Sequence, residues 1–218
     1  MVKNDTPSKD AYYAIRTAII EQKLKPGISL IENSLSISLG VGRSSVRTAL
    51  QRLANEGFVE MFPNRGAFVA QFSEKQVREL YSLRQLFFDY ALEHSIEAYT
   101  DNDTEFLKEC LKKQEHAFQM MDFNEYVTAI SQFYSLIMQK SGNEYLVELS
   151  TKVINRISVY LSLYDNFYSV KKLKSLPYHY KMIEGIQEGN LKKVIRAHDI
   201  ICRRMLEAYD HVILLNKM

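Results

Sequence analysis

The chain has 218 residues, of which 46% are hydrophobic and 25% charged, as is ordinary for a globular protein of one or two domains. It begins without the apolar core of a signal peptide and has no run of about 18 apolar residues. We therefore expect neither a secretory leader nor a membrane span, and we expect the protein to be cytoplasmic. Its two cysteines, Cys110 and Cys202, lie far apart and match neither a zinc motif nor a disulfide framework.

Charge is unevenly distributed along the chain. Residues 1–72 hold 9 Lys and Arg against 6 Asp and Glu, whereas residues 73–218 hold 19 against 20. The overall excess of basic residues, 28 against 26, gives a net charge of +2. This asymmetry permits a nucleic-acid partner for the first part without requiring one.

Residues 1–72 predict three helices followed by a β-hairpin. Apolar residues at helical spacing indicate helices over 9–23, 34–39 and 44–56, and Gly57 is a natural residue to end the third. Two short segments rich in β-forming residues, FVEMF and AFVAQF, then flank the turn sequence PNRG. The order of these elements is typical of a winged helix-turn-helix domain.

Residues 73–218 show helical periodicity throughout and no strand pattern. We therefore predict an all-α bundle of six or seven helices that forms a second domain, so that the whole chain is mainly α. The predicted helices cover residues 73–99, 103–119, 123–140, 144–164, 176–188 and 191–214, with a break near 165–175.

The third helix has two different faces. One narrow sector of the helical wheel is apolar, and the opposite side carries arginines and small polar residues. No Asp or Glu occurs between Asn33 and Asn55. An isolated basic helix of this kind is as often a solvated surface as a binding surface. The apolar sector consists of Val46, Ala49, Leu50 and Leu53.

Three neighbouring features favour DNA as the partner of the polar face. A short helix and a tight turn precede it, as in a helix-turn-helix whose second helix enters the major groove by its N-terminal end. Hydroxyl and guanidinium groups, which bind phosphates and guanine edges, cluster at that end. The hairpin that follows places Arg65 at its tip, where a wing could reach the DNA backbone or minor groove.

Residues 24–69, LKPGISLIENSLSISLGVGRSSVRTALQRLANEGFVEMFPNRGAFV, resemble the winged-helix domain of GntR-type bacterial transcription regulators. The pattern departs from the usual one at Gly42, Ser45 and Thr48, and Asn33 stands where relatives often carry a DNA-contacting arginine. These departures leave the operator sequence open. The matching residues are Pro26, Gly27, Leu30, Glu32, Gly40, Val41, Arg43, Val46, Arg47, Ala49, Leu50, Leu53, Gly57 and Gly66.

The resemblance implies where DNA would be contacted. Ser44 and Ser45 would hold phosphates near the helix N-terminus, and either Arg43 or Arg47 would read a base. Arg52, late in the helix, is expected to be a surface residue or a phosphate contact. The full set of predicted DNA-binding residues is Arg43, Ser44, Ser45, Arg47, Thr48, Arg65 and Gly66.

Residues 73–218 are similar to the all-helical FCD effector domain of the FadR-type subgroup. Many members bind a metal through Asp-x-x-x-His on one helix and two later histidines. Here those positions hold Ile130, Tyr134, His179 and a residue near Ile201, and His198 lies about one turn early. A divalent site needs several converging donors, so we expect no metal and no other cofactor.

Four polar residues lie within the apolar stripes of four predicted helices: Arg84, Tyr134, His179 and His198. Each could be a core residue whose polar atoms are satisfied locally. A buried charge needs a partner, however, and no acid shares the stripe of Arg84. We therefore expect these residues to bind an anionic effector, either a small organic acid or an acyl conjugate.

The leading interpretation is a homodimeric, effector-controlled transcription regulator that binds a palindromic DNA operator. Of repressor and activator, we favour a repressor. One alternative is a constitutive dimeric DNA-binding protein whose helical domain only dimerises. An enzyme is disfavoured because the sequence offers no nucleophile–base pair, phosphate-binding glycine loop or metal set.

Overall fold

The computed structural model describes residues 6–164 and 173–216. Two compact units divide the chain between Ser73 and Glu74, and residues 159–163 group with the first unit. The predicted fold class is confirmed, because a small three-stranded sheet accompanies the N-terminal helices and helices alone form the remainder of the described chain.

The N-terminal unit contains three helices and three short strands. Helix α3 buries the predicted apolar stripe of Val46, Ala49, Leu50 and Leu53, and it packs against helix α1. Burying four such side chains removes apolar surface from water and so fixes α3 by one face. In chain order the elements are α1 (Thr6–Ile20), β1 (Ser29–Leu30), α2 (Glu32–Leu39), α3 (Arg43–Asn55), β2 (Val59–Phe62) and β3 (Gly66–Val69).

A tight turn joins α2 to α3. Gly40 ends α2 with φ +65°, a left-handed conformation in which glycine carries no Cβ penalty. The hydroxyl of Ser36 donates to the carbonyl oxygen of Val41 at 2.6 Å, and the amide of Val41 donates to the carbonyl oxygen of Ser36 at 3.2 Å. These two bonds fix the direction in which α3 leaves α2.

The sheet has the antiparallel order β1-β3-β2. The predicted hairpin pairs Val59 with Val69 and Phe62 with Gly66. Its turn places Asn64 at φ +61°, which asparagine tolerates better than most residues, and closes with a 3.1 Å bond from the amide of Arg65 to the carbonyl oxygen of Phe62. Strand β1 was not predicted from the sequence; it has two residues and pairs only with β3.

The second unit contains the helices that follow Ser73. The helix predicted over residues 73–99 ends at Ser95, where a short 3₁₀ turn, Ile96–Ala98, follows it. No helix in the described ranges is long and apolar enough to cross a membrane. The helices are α4 (Glu74–Ser95), α5 (Asp101–Gln119), α6 (Phe123–Lys140), α7 (Glu144–Tyr164), α8 (Leu176–Gln187) and α9 (Leu191–Asn216).

The core of this unit lies among α4, α5, α6, α8 and α9, which pack pairwise. The predicted boundaries of α6 and α7 agree with the structure, whereas α5 begins two residues before its predicted start. Most of the predicted break at 165–175 lies outside the described residues. The largest fully buried side chains of the core include Phe88, Leu92, Leu107, Leu111, Phe133, Ile137, Met138 and Met182.

Helix α5 is fixed at its start by a capping box and an ion pair. The amide of Asp103 donates to Oγ1 of Thr100 at 3.2 Å, and the amide of Thr100 donates to Oδ2 of Asp103 at 2.8 Å. Lys140, at the end of α6, donates to the same Oδ2 at 2.7 Å. The hydrogen bond from Lys140 and those from Thr100 lower the pKa of Asp103 to about 2.

We predict that Asp103→Asn lowers the free energy of unfolding by about 1 kcal/mol at pH 7. Because folding lowers the pKa of Asp103, its contribution is present above the unfolded value of about 4 and is lost as pH falls towards about 2. Urea denaturation across this range should show that the difference in unfolding free energy between Asp103→Asn and wild type becomes smaller as pH falls. Asp101→Asn, in the same helical turn, is the control, and a pH-independent difference would contradict the assignment.

Candidate functional site

The polar face of α3 is open to solvent. Arg43, Ser44, Arg47 and Thr48 are exposed, and Ser45 is half-buried. Thr48 is partly engaged, since its hydroxyl donates to the carbonyl oxygen of Ser44 at 3.0 Å. The structure therefore brings the predicted residues of this helix to one surface at its N-terminal half.

The N-terminus of α3 has no side-chain cap. Its N-cap residue is Gly42, no side chain accepts from the first turn, and that turn contains no acid. The first backbone amides of a helix lack intrahelical acceptors and carry partial positive charge. This end of α3 is therefore suited to bind an anion such as a phosphate.

Arg47 does not point freely into solvent. Its Nε and Nη2 donate to the two carboxylate oxygens of Glu32 at 2.9 and 2.8 Å. The hydrogen bond from Arg47 lowers the pKa of the Glu32 carboxyl, so this group stays ionised. A bidentate pair holds the guanidinium plane in one orientation. The sequence alone suggests that no acid lies near the polar face of α3. In the folded structure α2 places Glu32 against this face.

Arg52 belongs to a separate network at the other end of α3. Its Nε donates to Glu56 at 3.2 Å, and its guanidinium lies 3.9 Å from the centre of the Tyr12 ring. The Tyr12 hydroxyl donates to the same carboxylate at 2.7 Å, and burial followed by this bond raises the pKa of Tyr12 to about 12. These contacts account for Arg52 as a surface residue that ties α3 to α1.

The hairpin tip carries the other two predicted residues. Arg65 is exposed and its guanidinium lies 5.7 Å from the ring centres of both Phe62 and Phe68. Gly66 has φ +89°, and a Cβ added there would meet no atom within 4 Å. Glycine is therefore required here by the backbone conformation and leaves open space beside Arg65.

In the second unit, the four predicted polar residues converge from α4, α6, α8 and α9. Arg84 is 7% exposed, and Tyr134, His179 and His198 are also buried. The Tyr134 hydroxyl and Nε2 of His179 lie at hydrogen-bond distance, 3.2 Å. The ring of His198 stacks on Phe88 with 3.8 Å between centres. The inward orientation inferred from the helical stripes is therefore correct for all four.

Arg84 is a buried cation without a carboxylate partner among the described residues. Its guanidinium lies 4.7 Å from the ring centre of Tyr81 and 4.8 Å from that of Tyr134. Nη2 donates to Sγ of Cys202 at 3.3 Å, and Nε has no hydrogen-bond partner. Aromatic faces and a sulfur compensate a charge only in part, so this cation remains underneutralised.

Both histidines of this cluster are neutral near pH 7. Burial and then the charge of Arg84 lower the pKa of His179 to about 3, and the backbone of Ser175 opposes this shift. Burial and Arg84 also bring the pKa of His198 well below its usual value. Nδ1 of each ring is buried and makes no hydrogen bond, so the cluster contains two polar atoms without a partner in addition to Nε of Arg84.

Two further residues join the cluster that the sequence did not predict as ligand-binding residues. Cys202 contacts Arg84, and its Sγ lies 3.4 Å from Oε1 of Gln85. Cys202 follows His198 by one helical turn, and Gln85 follows Arg84 directly. The first spacing is the only sequence signal that could have linked the thiol to the predicted site.

These residues do not fit a metal ion. No group of three or more His, Cys, Asp or Glu side chains in the described chain is placed to hold one. The cluster also places the positive guanidinium of Arg84 beside both imidazoles, which would repel a cation. Its unpartnered groups are suited to an anion instead.

Comparisons with known proteins agree with both parts of this geometry. Residues 7–69 match the model for bacterial regulatory proteins of the gntR family, and residues 79–207, more than half of the chain, match the FCD domain. The chain belongs to the GntR family of bacterial regulatory proteins. Its helical unit is an FCD domain.

Curated proteins similar to this GntR-family chain are named as transcriptional regulators. An HTH-type regulator of Streptomyces ambofaciens is 39% identical over 80 residues, 37% of this chain and 34% of that protein. The repressor RspR of Escherichia coli K12 is 26% identical over 132 residues, 61% of this chain and 58% of that protein. The chain thus spans about a third to three fifths of these relatives, whose names agree with the expectation that it is not an enzyme.

Solved structures share the fold. A GntR transcriptional regulator from Rhodococcus sp. RHA1 superposes with a TM-score of 0.70 at 21% identity, covering 95% of this chain and 98% of that one. The Escherichia coli protein McbR/YncC gives a TM-score of 0.63 at 20% identity, covering 97% and 99%. At this level of identity the likeness is evidence for the fold alone.

Proposed function

We propose that the protein is a sequence-specific DNA-binding transcriptional repressor whose activity is set by a small anionic effector. The observation that carries the DNA-binding part is the face of α3, which is exposed, rich in arginine and hydroxyl groups, and open at its N-terminus. Repression is proposed because two relatives are named as repressors, RspR of Escherichia coli and the gluconate operon repressor of Bacillus subtilis.

In the proposed complex α3 enters the major groove by its N-terminal half. Ser44, Ser45 and the free amides of the first turn bind phosphates, and Thr48 lies beside them. Arg43 and Arg47 reach base edges, where a guanidinium can read guanine with two hydrogen bonds. Arg65 and Gly66 bring the wing to the backbone or minor groove.

We predict that Arg47→Ala weakens binding to specific DNA by roughly 5- to 150-fold, the range that corresponds to about 1–3 kcal/mol for one bidentate base contact. The probe is a duplex enriched from a random pool by the wild-type protein, and affinity is measured by fluorescence anisotropy. The fold should persist, because Arg47 is exposed and pairs only with Glu32 at the surface.

Arg52→Ala is the matched control, since Arg52 lies on the same helix but pairs with Glu56 at its C-terminal end. We expect its affinity to stay within about twofold of wild type. If the Arg47→Ala variant binds DNA with wild-type affinity, Arg47 does not contribute to the DNA interface. Failure of the wild-type protein to enrich any sequence would contradict DNA recognition itself.

We further propose a homodimer that binds a palindromic operator, since two α3 helices would then read two half-sites. Helix α4 carries an exposed apolar stripe at helical spacing, formed by Leu83, Leu86 and Tyr90. Tyr145 and Leu149 are exposed on α7, and Asn143 at the start of α7 donates to the Tyr90 hydroxyl at 3.4 Å. Exposed apolar residues on two neighbouring helices are consistent with an interface.

We predict that Leu86→Glu shifts the protein from dimer to monomer in sedimentation analysis, raising the dimer dissociation constant at least about tenfold. Leu86 is 62% exposed, so the substitution leaves the core intact, but a buried carboxylate without a partner would oppose association. Ile37→Glu, on the exposed side of α2, should have no such effect. A dimer that is unaffected by Leu86→Glu would exclude this face as the interface.

The proposed effector is an organic acid or an acyl conjugate bound at Arg84, Tyr134, His179 and His198. The support is physical: an underneutralised guanidinium, two unpartnered imidazole nitrogens and an aromatic surround are complementary to a carboxylate. Tyr134 and the neutral imidazoles can each donate or accept one hydrogen bond. The effector would act by favouring one arrangement of the DNA-binding units over another.

We predict that at least one small carboxylate, in a panel from acetate to citrate with aromatic and acyl acids included, raises the thermal midpoint of the wild-type protein. A ligand at about 100 times its dissociation constant adds about 2.7 kcal/mol of stability. Arg84→Met should abolish the shift, and Arg204→Met, at an exposed arginine of α9, should retain it. No shift across the panel would favour the alternative, a constitutive DNA-binding protein whose FCD domain only dimerises.

We place the protein in the cytoplasm, where bacterial DNA is accessible to a regulator. The family assignment supports this location.

A further inference from the structure

Cys202 lies at the boundary between the buried cluster and solvent. It is 8% exposed and lines a groove of about 260 Å³ between α4 and α9. Its lining also includes Ser82, Gln85 and Asp199, although most of the surface that they expose to the groove is apolar. Because the groove opens to solvent and Cys202 lines it, a molecule the size of peroxide could reach the sulfur.

The sulfur of Cys202 has three polar neighbours. Nη2 of Arg84 donates to Sγ at 3.3 Å, which places positive charge where a thiolate would form. The thiol donates to Oε1 of Gln85 at 3.4 Å, and Nε2 of His198 lies 3.6 Å from the sulfur, where it can accept the thiol proton in the tautomer that carries its hydrogen on Nδ1. The thiol thus contacts a cation and a proton acceptor.

No acidic group among the described residues competes with the sulfur for Arg84. Among the described residues it has no carboxylate partner, and its Nε is buried without a hydrogen bond. The phenol of Tyr134 cannot supply the missing charge near neutral pH, because burial raises its pKa to about 12. Negative charge that develops on the sulfur or on a departing oxygen during oxidation would therefore lie beside this guanidinium.

We propose that Cys202 is a peroxide-reactive thiol activated by Arg84, a modification site that goes beyond the proposed function. The sulfur attacks one oxygen of hydrogen peroxide, so that an S–O bond forms and the O–O bond breaks. The thiol proton and the leaving hydroxide become water. Sulfur is oxidised by two electrons to the sulfenic acid, and the peroxide is reduced by two.

The chain contains its own control. Cys110 is also buried, at 2% exposure, but it lies in the apolar core on α5, and burial raises the pKa of its thiol. Both thiols are therefore largely shielded from solvent, Cys110 more than Cys202. Only the contacts of Cys202 with Arg84, Gln85 and His198, together with the groove, distinguish the two.

The experiment treats the full chain with hydrogen peroxide at pH 7 and measures the loss of each free thiol by iodoacetamide labelling and peptide mass spectrometry. We expect Cys202 to be oxidised at least about tenfold faster than Cys110, and Arg84→Met to slow Cys202 at least about fivefold. Arg204→Met should leave the rate unchanged. A Cys202 no faster than Cys110, or a rate insensitive to Arg84→Met, would overturn the proposal.

Circular dichroism verifies that each variant is folded. Should Arg84→Met not fold, Arg84→Lys tests the same point because it keeps the charge, and we expect its rate to stay within about threefold of wild type. A rate as low as that of Cys110 in this variant would contradict activation by charge. The assay uses neither DNA nor effector, so its failure is distinct from a failure of the proposed regulatory function.

Discussion

The core of the second unit contains one buried positive charge without an ionic partner among the described residues, the guanidinium of Arg84. It contacts the rings of Tyr81 and Tyr134 and donates a hydrogen bond to the sulfur of Cys202. Burying an unpaired cation costs free energy, so the fold retains it at the expense of stability. Burial, and then the same charge, lower the pKa of His179 and His198, which keeps both imidazoles neutral. The proposed effector and the proposed reactive thiol are two ways to supply one missing negative charge.

In the first unit, helix α3 exposes its basic face to solvent while its opposite face is held in the core. The apolar stripe of α3 is fully buried against α1, and the Gly40 turn fixes its start. Glu32 then orients Arg47 by two hydrogen bonds. An arginine that is already ordered loses less conformational entropy when it binds a base, although the ion pair must be loosened or shared. Glu32 therefore belongs in any account of the proposed DNA contact, even though its charge would be unfavourable near phosphate.

Much of this architecture follows from local sequence signals. The periodicity of apolar residues gives α6 and α7 their boundaries, and it places Arg84 and His179 on buried stripes. Strand β1 could not be predicted, because two residues carry no pattern of their own and are ordered only by pairing with β3. The pairing of Arg47 with Glu32 was missed for a related reason: the two lie 15 positions apart, and the turn between α2 and α3 brings them together.

The sequence by itself determined the order of the elements, the two-faced character of α3 and the inward orientation of the polar residues, because helical periodicity depends only on neighbours along the chain. It could not determine what those polar residues contact. Cys202 lies 118 positions from Arg84, and only the packing of α4 against α9 places the thiol beside the guanidinium. The tertiary structure alone decided this, since the energy of a buried charge depends on every group around it and not on its place in the sequence.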